Sequence, residues 1–387
     1  MKTKKYIYGL ATGHLFVDFN QGALAAFLPI LIATHHFNYA LAATLVFAMN
    51  LVSSIIQPLF GQLSDHQNTS KVIVWAILIA SIGFCFLGWV PNYSLLIIGV
   101  LICGIGIAAY HPDAAKLVNG LAGDNKAEGM SIFSFGGNLG FALGPILLTM
   151  IVNWGGIHSI TFLMIPAIAI ALFLQFVVKY VQTNIQIETN YQGKKDSIKE
   201  SEQNDWKHFV ILSFALFGRS IIFYGLNTFL ALYWIKNLKQ SNTAGSVALT
   251  ILFVIGSIGT LIGGRLADRI GYVSIIKYSF ICLPFLLVLL ALTRNILLAN
   301  LILIPLGLAI FMPYSSMVIL GQKYLPKRMG LASGVTLGLA VSVGGIVSPI
   351  LGIIADNSGL LVVIWILALI AIIPAIVSFL LVTPSKK

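Results

Sequence analysis

Uninterrupted apolar stretches recur from one end of this chain to the other. A helix of about 18 or more such residues reaches across the roughly 30 Å hydrocarbon core of a bilayer. Of the 387 residues 58% are apolar and only 9% are charged, against about 25% charged in an ordinary soluble domain. So few charges leave the surface of a soluble fold uncovered, which excludes the soluble classes. The three cysteines (Cys85, Cys103 and Cys282) all fall inside apolar runs, where they read as core fillers rather than as a disulfide framework or a zinc spacing. The pattern predicts an all-α integral membrane protein with twelve transmembrane helices, over 6–33, 40–63, 71–90, 94–118, 127–152, 158–181, 207–235, 244–265, 273–293, 296–320, 330–354 and 360–382.

The formal net charge of +11 suggests nucleic acid until the positions of the charges are considered. With Met1 on the cytoplasmic side, only Lys236, Lys239 and Arg294 of the 23 lysines and arginines fall outside, Arg219 falls within a span, and the other 19 collect inside. That is the bias of the positive-inside rule, with both termini cytoplasmic. The Met-Lys-Thr-Lys-Lys opening imitates a secretory signal. The apolar stretch after it is too long, has no small-residue cleavage site and carries Asp18, so it is expected to be the first span.

Residues 182–206 are polar, lack an apolar period and lie near the middle of the chain. They read as a cytoplasmic tether between a six-helix bundle at 1–181 and another at 207–387. The halves echo each other: Gly61-Gln-Leu-Ser-Asp65 returns as Gly264-Arg-Leu-Ala-Asp268, and Gly144-Pro-Ile-Leu as Ser348-Pro-Ile-Leu, at nearly one offset. Two pseudo-symmetric bundles with a site near the midplane form one of the known transporter architectures.

Ionisable residues in hydrocarbon are costly and mark function; those placed in spans are Asp18, Asp113 and Arg219, joined by His14 and His111. His14, Asp18 and Gln21 stand at i, i+4 and i+7, on one face of the first span. Asp18 lies about 18 Å from the cytoplasmic start, near the midplane. This depth suits a protonation site that His14 tunes; a permanent hydrogen-bonded pair that only orients the span is the rival reading. Arg219 lies at comparable depth in the seventh span. It keeps its charge and needs an anion, either a substrate or Asp18 across the two halves, and Asn227 follows two turns later. In the fourth span Gly104-Ile-Gly106 precedes Tyr110-His111-Pro112-Asp113. His111 suits ligand contact or proton relay, and Asp113 a pairing with Lys116.

Two further runs suit conformational change. In the fifth span Gly136, Gly140 and Gly144 recur every four residues around Asn138 and ahead of Pro145, a flat face for close helix approach beside a softened backbone. At the cytoplasmic end of the eighth span, Gly264-Arg-Leu-Ala-Asp268-Arg269-Ile-Gly271 reads as a latch. Its glycines suit a reversal and close approach, and its carboxylate suits neighbouring amides or a cation. The first-half copy keeps Gly61 and Asp65 but has His66 and Asn68 where arginine and glycine stand in the second.

The eight-residue loop resembles the signature of the major facilitator superfamily. His14-Leu-Phe-Val-Asp18-x-x-Gln21, the Gly-x-Gly…His111-Pro112 run, Gly136-Gly-Asn138-Leu-Gly and Leu325-Pro326…Gly330…Ser333-Gly334 resemble its fosmidomycin-resistance branch, across nearly the whole chain outside the linker. The resemblance implies a bacterial inner-membrane antiporter that exports a small, often anionic antimicrobial in exchange for protons. The chain departs from the branch at Arg219, where lysine is usual; an arginine fork grips a phosphate differently. Gln21, His111, Asn138, Arg219 and Asn227 are the expected substrate contacts. His14 and Asp18 are the expected proton carriers; Gly61, Asp65, Gly264, Asp268, Arg269, Gly140, Gly144 and Pro145 are the expected gating residues. No metal or other cofactor is expected, nor nucleic acid; the expected partners are the lipid bilayer and a small molecule, for a monomer driven by the proton gradient. No Walker phosphate loop is present to take ATP. An importer of an anionic metabolite is the alternative. A membrane acyltransferase built on the His14-x-x-x-Asp18 spacing is a remote one, since its base would sit in mid-membrane.

Overall fold

The computed structural model describes residues 4–66, 71–122, 126–184, 203–328, 331–332 and 334–383. The tether over 185–202 lies outside them, as do Gly330 and Ser333. Among the described residues there are twelve long helices and no strand. Ten are long and apolar enough to cross a membrane, and two, over Val72–Phe86 and Val343–Ser358, are shorter apolar helices. The chain forms two compact units, Met1–His36 with Leu45–Gly193, and Phe37–Thr44 with Lys194–Lys387.

The first unit holds α1 (Lys4–His35), most of α2 (Tyr39–His66), α3 (Val72–Phe86), α4 (Tyr93–Ala122), α5 (Lys126–Gly155) and α6 (Met164–Asn184). Helix α1 is the enclosed member, with Leu10, Val17, Leu24, Phe27 and Leu31 fully buried. Its closest neighbour is α5. Cβ atoms built at Gly136 and Gly140 would collide with the carbonyl oxygens of Ala11 and Leu15, and one at Gly144 would stand 2.6 Å from the Ala23 nitrogen. The four-residue glycine repeat is therefore the seam on which α1 lies.

The second unit holds α7 (Trp206–Lys236), α8 (Asn242–Ile270), α9 (Tyr272–Leu292), α10 (Ile296–Tyr324), α11 (Ala340–Ser358) and α12 (Leu360–Ser378). Helix α7 is its enclosed member, with Leu212, Leu226, Phe229, Tyr233 and Trp234 buried. The unit also takes in the start of α2: the Asp356 carboxylate accepts from the Tyr39 and Ala40 amides at 2.7 and 3.0 Å.

Small polar residues set the helix starts. Asp205 accepts from the His208 amide (3.1 Å) ahead of α7, Ser241 from Ala244 (3.2 Å) ahead of α8, and Asn295 from Leu297 and Leu298 (2.9 and 3.1 Å) ahead of α10. Each satisfies amides that the helix itself leaves unpaired.

Several boundaries differ from the sequence expectation. Helices α4, α8 and α10 run on for about one turn past the apolar stretch, since helix propensity does not stop where hydropathy does. Helix α3 ends at Phe86, in the turn before Pro91. The sixth span opens as a 3-10 helix over Ile157–Leu163, and a π-helical turn, Gly334–Leu339, precedes α11. Large apolar side chains such as Trp75, Phe176, Phe285 and Leu369 remain exposed, as lipid-facing residues do.

Candidate functional site

Helices α1 and α4 bring His14, Asp18 and His111 together. His14 Nε2 lies 3.2 Å from one Asp18 oxygen, and His111 Nε2 lies 3.2 Å from the other. Their side chains are 10, 15 and 21% exposed, enclosed yet within reach of small species. The far ring nitrogens are occupied: His14 Nδ1 is 2.8 Å from the Phe133 carbonyl and His111 Nδ1 is 2.7 Å from that of Ile107. A carbonyl only accepts, so each Nδ1 carries its hydrogen and each Nε2 is left to face the carboxylate.

That arrangement has a chemical consequence. In two neutral imidazoles with Nδ1–H, both Nε2 lone pairs would face carboxylate lone pairs. Such a cluster needs at least one added proton, or a cation, to hold together. The exchangeable protons are confined to the two Nε2–oxygen lines, because the Nδ1 hydrogens are held by the backbone. The donor atoms also lie within 4.8 Å of one another, and two imidazoles with a carboxylate form a set that divalent transition metals accept.

Residues around the cluster shape it. The His14 ring stacks on Phe133 at 4.1 Å between centroids and meets His111 edge-on at 4.9 Å. The Tyr110 hydroxyl donates to the Leu10 carbonyl at 2.6 Å, tying α4 to α1. A Cβ at Gly137 would stand 2.5 Å from His14 Nε2 and 2.6 Å from Asp18 Oδ2, so the missing side chain there makes the room the cluster fills. The four-residue repeat passes over Gly137, which stands in the sequence only as the unremarked second glycine of Gly136-Gly-Asn138-Leu-Gly, and no motif marked Phe133. Gln21 points elsewhere: its amide donates to Asn50 Oδ1 on α2. Asn138 is half-buried beside Gly137 on α5.

In the second unit Arg219 is 7% exposed. Its Nε donates to the Ile310 carbonyl at 2.7 Å, and its guanidinium carbon lies 4.5 Å from the Tyr314 ring centroid and just under 6 Å from those of Phe223 and Phe311. Aromatic faces hold the cation while adding no negative ion. Among the described residues no carboxylate pairs with it. Asn227 is also buried, with its Oδ1 lacking a hydrogen-bond partner.

The latch residues are placed in part. The Asp65 and Asp268 side chains lie outside the described residues. Gly61 and Gly264 sit within α2 and α8 rather than at reversals: the nearest atom to a Cβ at Gly61 is 3.9 Å away, and nothing lies within 4 Å at Gly264. The reversal after α8 falls at Gly271, whose φ of +93° suits a residue without a side chain. Arg269 is exposed in the last turn of α8. Pro145 lies inside α5, directly after Gly144.

Two units of apolar helices, one burying a histidine–carboxylate cluster and the other an arginine, define a membrane transporter. Residues 10–349 match the family model of the Major Facilitator Superfamily, and the chain belongs to that superfamily. It is 26% identical over 377 residues to an uncharacterized MFS-type transporter, YfnC, of Bacillus subtilis (strain 168), covering 96% of this chain and 91% of the relative. It is 22% identical over 373 residues to the fosmidomycin resistance protein of Escherichia coli (strain K12), with the same coverage. Its fold is similar to that of a bacterial homolog of the human lysosomal transporter Spinster, solved in an inward-facing and occupied conformation. The TM-score is 0.78 at 15% identity, covering 98% of this chain and 97% of the other.

Proposed function

We propose that the protein is a proton-coupled secondary transporter that exports a small oxyanionic antimicrobial by alternating access. The observation that carries this reading is the His14–Asp18–His111 cluster: two imidazole nitrogens at 3.2 Å from the two oxygens of one carboxylate, with every other ring donor committed to backbone. Protons on those two lines hold the cluster closed, and their loss sets three acceptors against one another. A carrier whose stable arrangement depends on proton count is coupled to the proton gradient. Arg219 supplies a permanent positive charge with its Nε already anchored, so that its outer fork is free to take a phosphonate or carboxylate. The similarity to a fosmidomycin resistance protein supports a phosphonate and the outward direction.

A drug-susceptibility panel on cells expressing the protein tests this. Protection against one small oxyanionic drug, lost in both Asp18→Asn and Arg219→Ala, is the expected result. Sensitisation to that drug instead would reverse the direction and make the protein an importer. The metal-accepting geometry of the cluster is tested in the same cells: protection that persists with a strong chelator in the medium and in vesicles assigns the site to protons. Loss in chelator with recovery on adding zinc would assign it to a metal.

A further inference from the structure

Tyr278, Phe285, Leu289 and Leu292 form one stripe along α9 at about 100° per residue, and each is between 46 and 71% exposed. In a chain of membrane-spanning helices such a face meets acyl chains. Two cations border it at the end of the unit where α7 begins. Helix α9 packs against both α10 and α12. Lys323, in the last turn of α10, holds its Nζ 4.4 Å from the ring centroid of Tyr272, the first residue of α9. Lys277 of α9 holds its Nζ 5.9 Å from the ring of Phe379, just past the end of α12. Counted from Tyr278, Tyr272 lies about 120° to one side of the stripe and Lys277 about 100° to the other.

Neither charge is neutralised within the unit. No carboxylate pairs with Lys277 or Lys323 among the described residues, and an aromatic face attracts a cation without cancelling it. Asp205, at the same end of the unit, is taken by His208 at 2.6 Å. Lys277 stands about 8 Å along α9 from its first residue. From there its stem can follow the apolar surface while the ammonium reaches headgroup level, where residues such as Tyr272 and Tyr278 concentrate. A ligand that suits this face brings apolar chains for the stripe and a negative group for the lysines. An anionic phospholipid brings both in one molecule, whereas a zwitterionic one adds a cation of its own.

We propose that the outer face of α9 binds an anionic phospholipid, with its acyl chains along the Tyr278–Leu292 stripe and its phosphate held by Lys277 and Lys323. The site lies wholly in the second unit and is independent of the proton cluster. Its test is lipid retention by the full chain purified in neutral detergent and offered equal amounts of phosphatidylglycerol and phosphatidylcholine of one chain length. Native mass spectrometry of the wild type is expected to show phosphatidylglycerol retained about tenfold over phosphatidylcholine. The ratio is expected to fall to about threefold in Lys277→Gln or Lys323→Gln alone and to about one in the double variant. Lys236→Gln, at the opposite end of α7, is expected to keep the wild-type ratio. Equal retention of the two lipids by the wild type would overturn the proposal, as would a preference that the double variant keeps. So would displacement of the lipid by inorganic phosphate, which would make the ligand a free anion.

Discussion

Gly137 carries the most direct consequence at the scale of single residues. A methyl group there would stand 2.5–2.6 Å from His14 and Asp18, and neither side chain can yield without breaking its 3.2 Å contact. Gly137→Ala is therefore expected to cost about 1–3 kcal/mol by overpacking and to abolish proton-coupled flux, read by thermal melting and by transport in vesicles. Arg219 argues differently. Lysine at that position keeps the charge but loses both the Nε bond to Ile310 and the guanidinium that lies 4.5 Å from the Tyr314 ring centroid. Arg219→Lys is expected to raise KM for an oxyanionic substrate about tenfold, with kcat changed far less, as loss of one charge-assisted hydrogen bond implies. A KM equal to that of the wild type would remove Arg219 from the substrate site.

Among the elements, the start of α2 depends on a carboxylate distant in sequence. Asp356 satisfies the Tyr39 and Ala40 amides together, so Asp356→Ala is expected to cost about 1 kcal/mol and to speed hydrogen exchange at those two amides. Gly264→Ala supplies the contrast. With nothing within 4 Å of its Cβ, it is expected to leave thermal stability equal or higher by about 0.5–1 kcal/mol. Helix number and order were legible in the sequence because hydropathy alone sets them. The ends were not: α10 continues to Tyr324 and α3 stops at Phe86 for reasons of capping, proline and propensity that an apolar window averages away. The α5 glycine face was visible as a period of four, but its partner α1 was not, because a flat face does not name the helix that lies on it.

For the whole molecule, the echoes at an offset of about 200 residues led to the expectation of two bundles, and the chain divides into two compact units. The site was legible only where the helical period sufficed. His14 and Asp18 share a face four residues apart, whereas His111 joins them from another helix and Gln21 turns to Asn50 instead. Pairing across helices depends on tertiary packing, which no local spacing encodes. The proposed coupling of substrate movement to protons belongs to this scale, and it rests on Asp18. The most direct measurement is proton movement in proteoliposomes loaded with a pH-sensitive dye, on addition of a small phosphonate. The wild type is expected to move protons against the substrate. Asp18→Asn is expected to bind the substrate yet move none, and substrate-coupled proton flux in that variant equal to wild type would contradict the account.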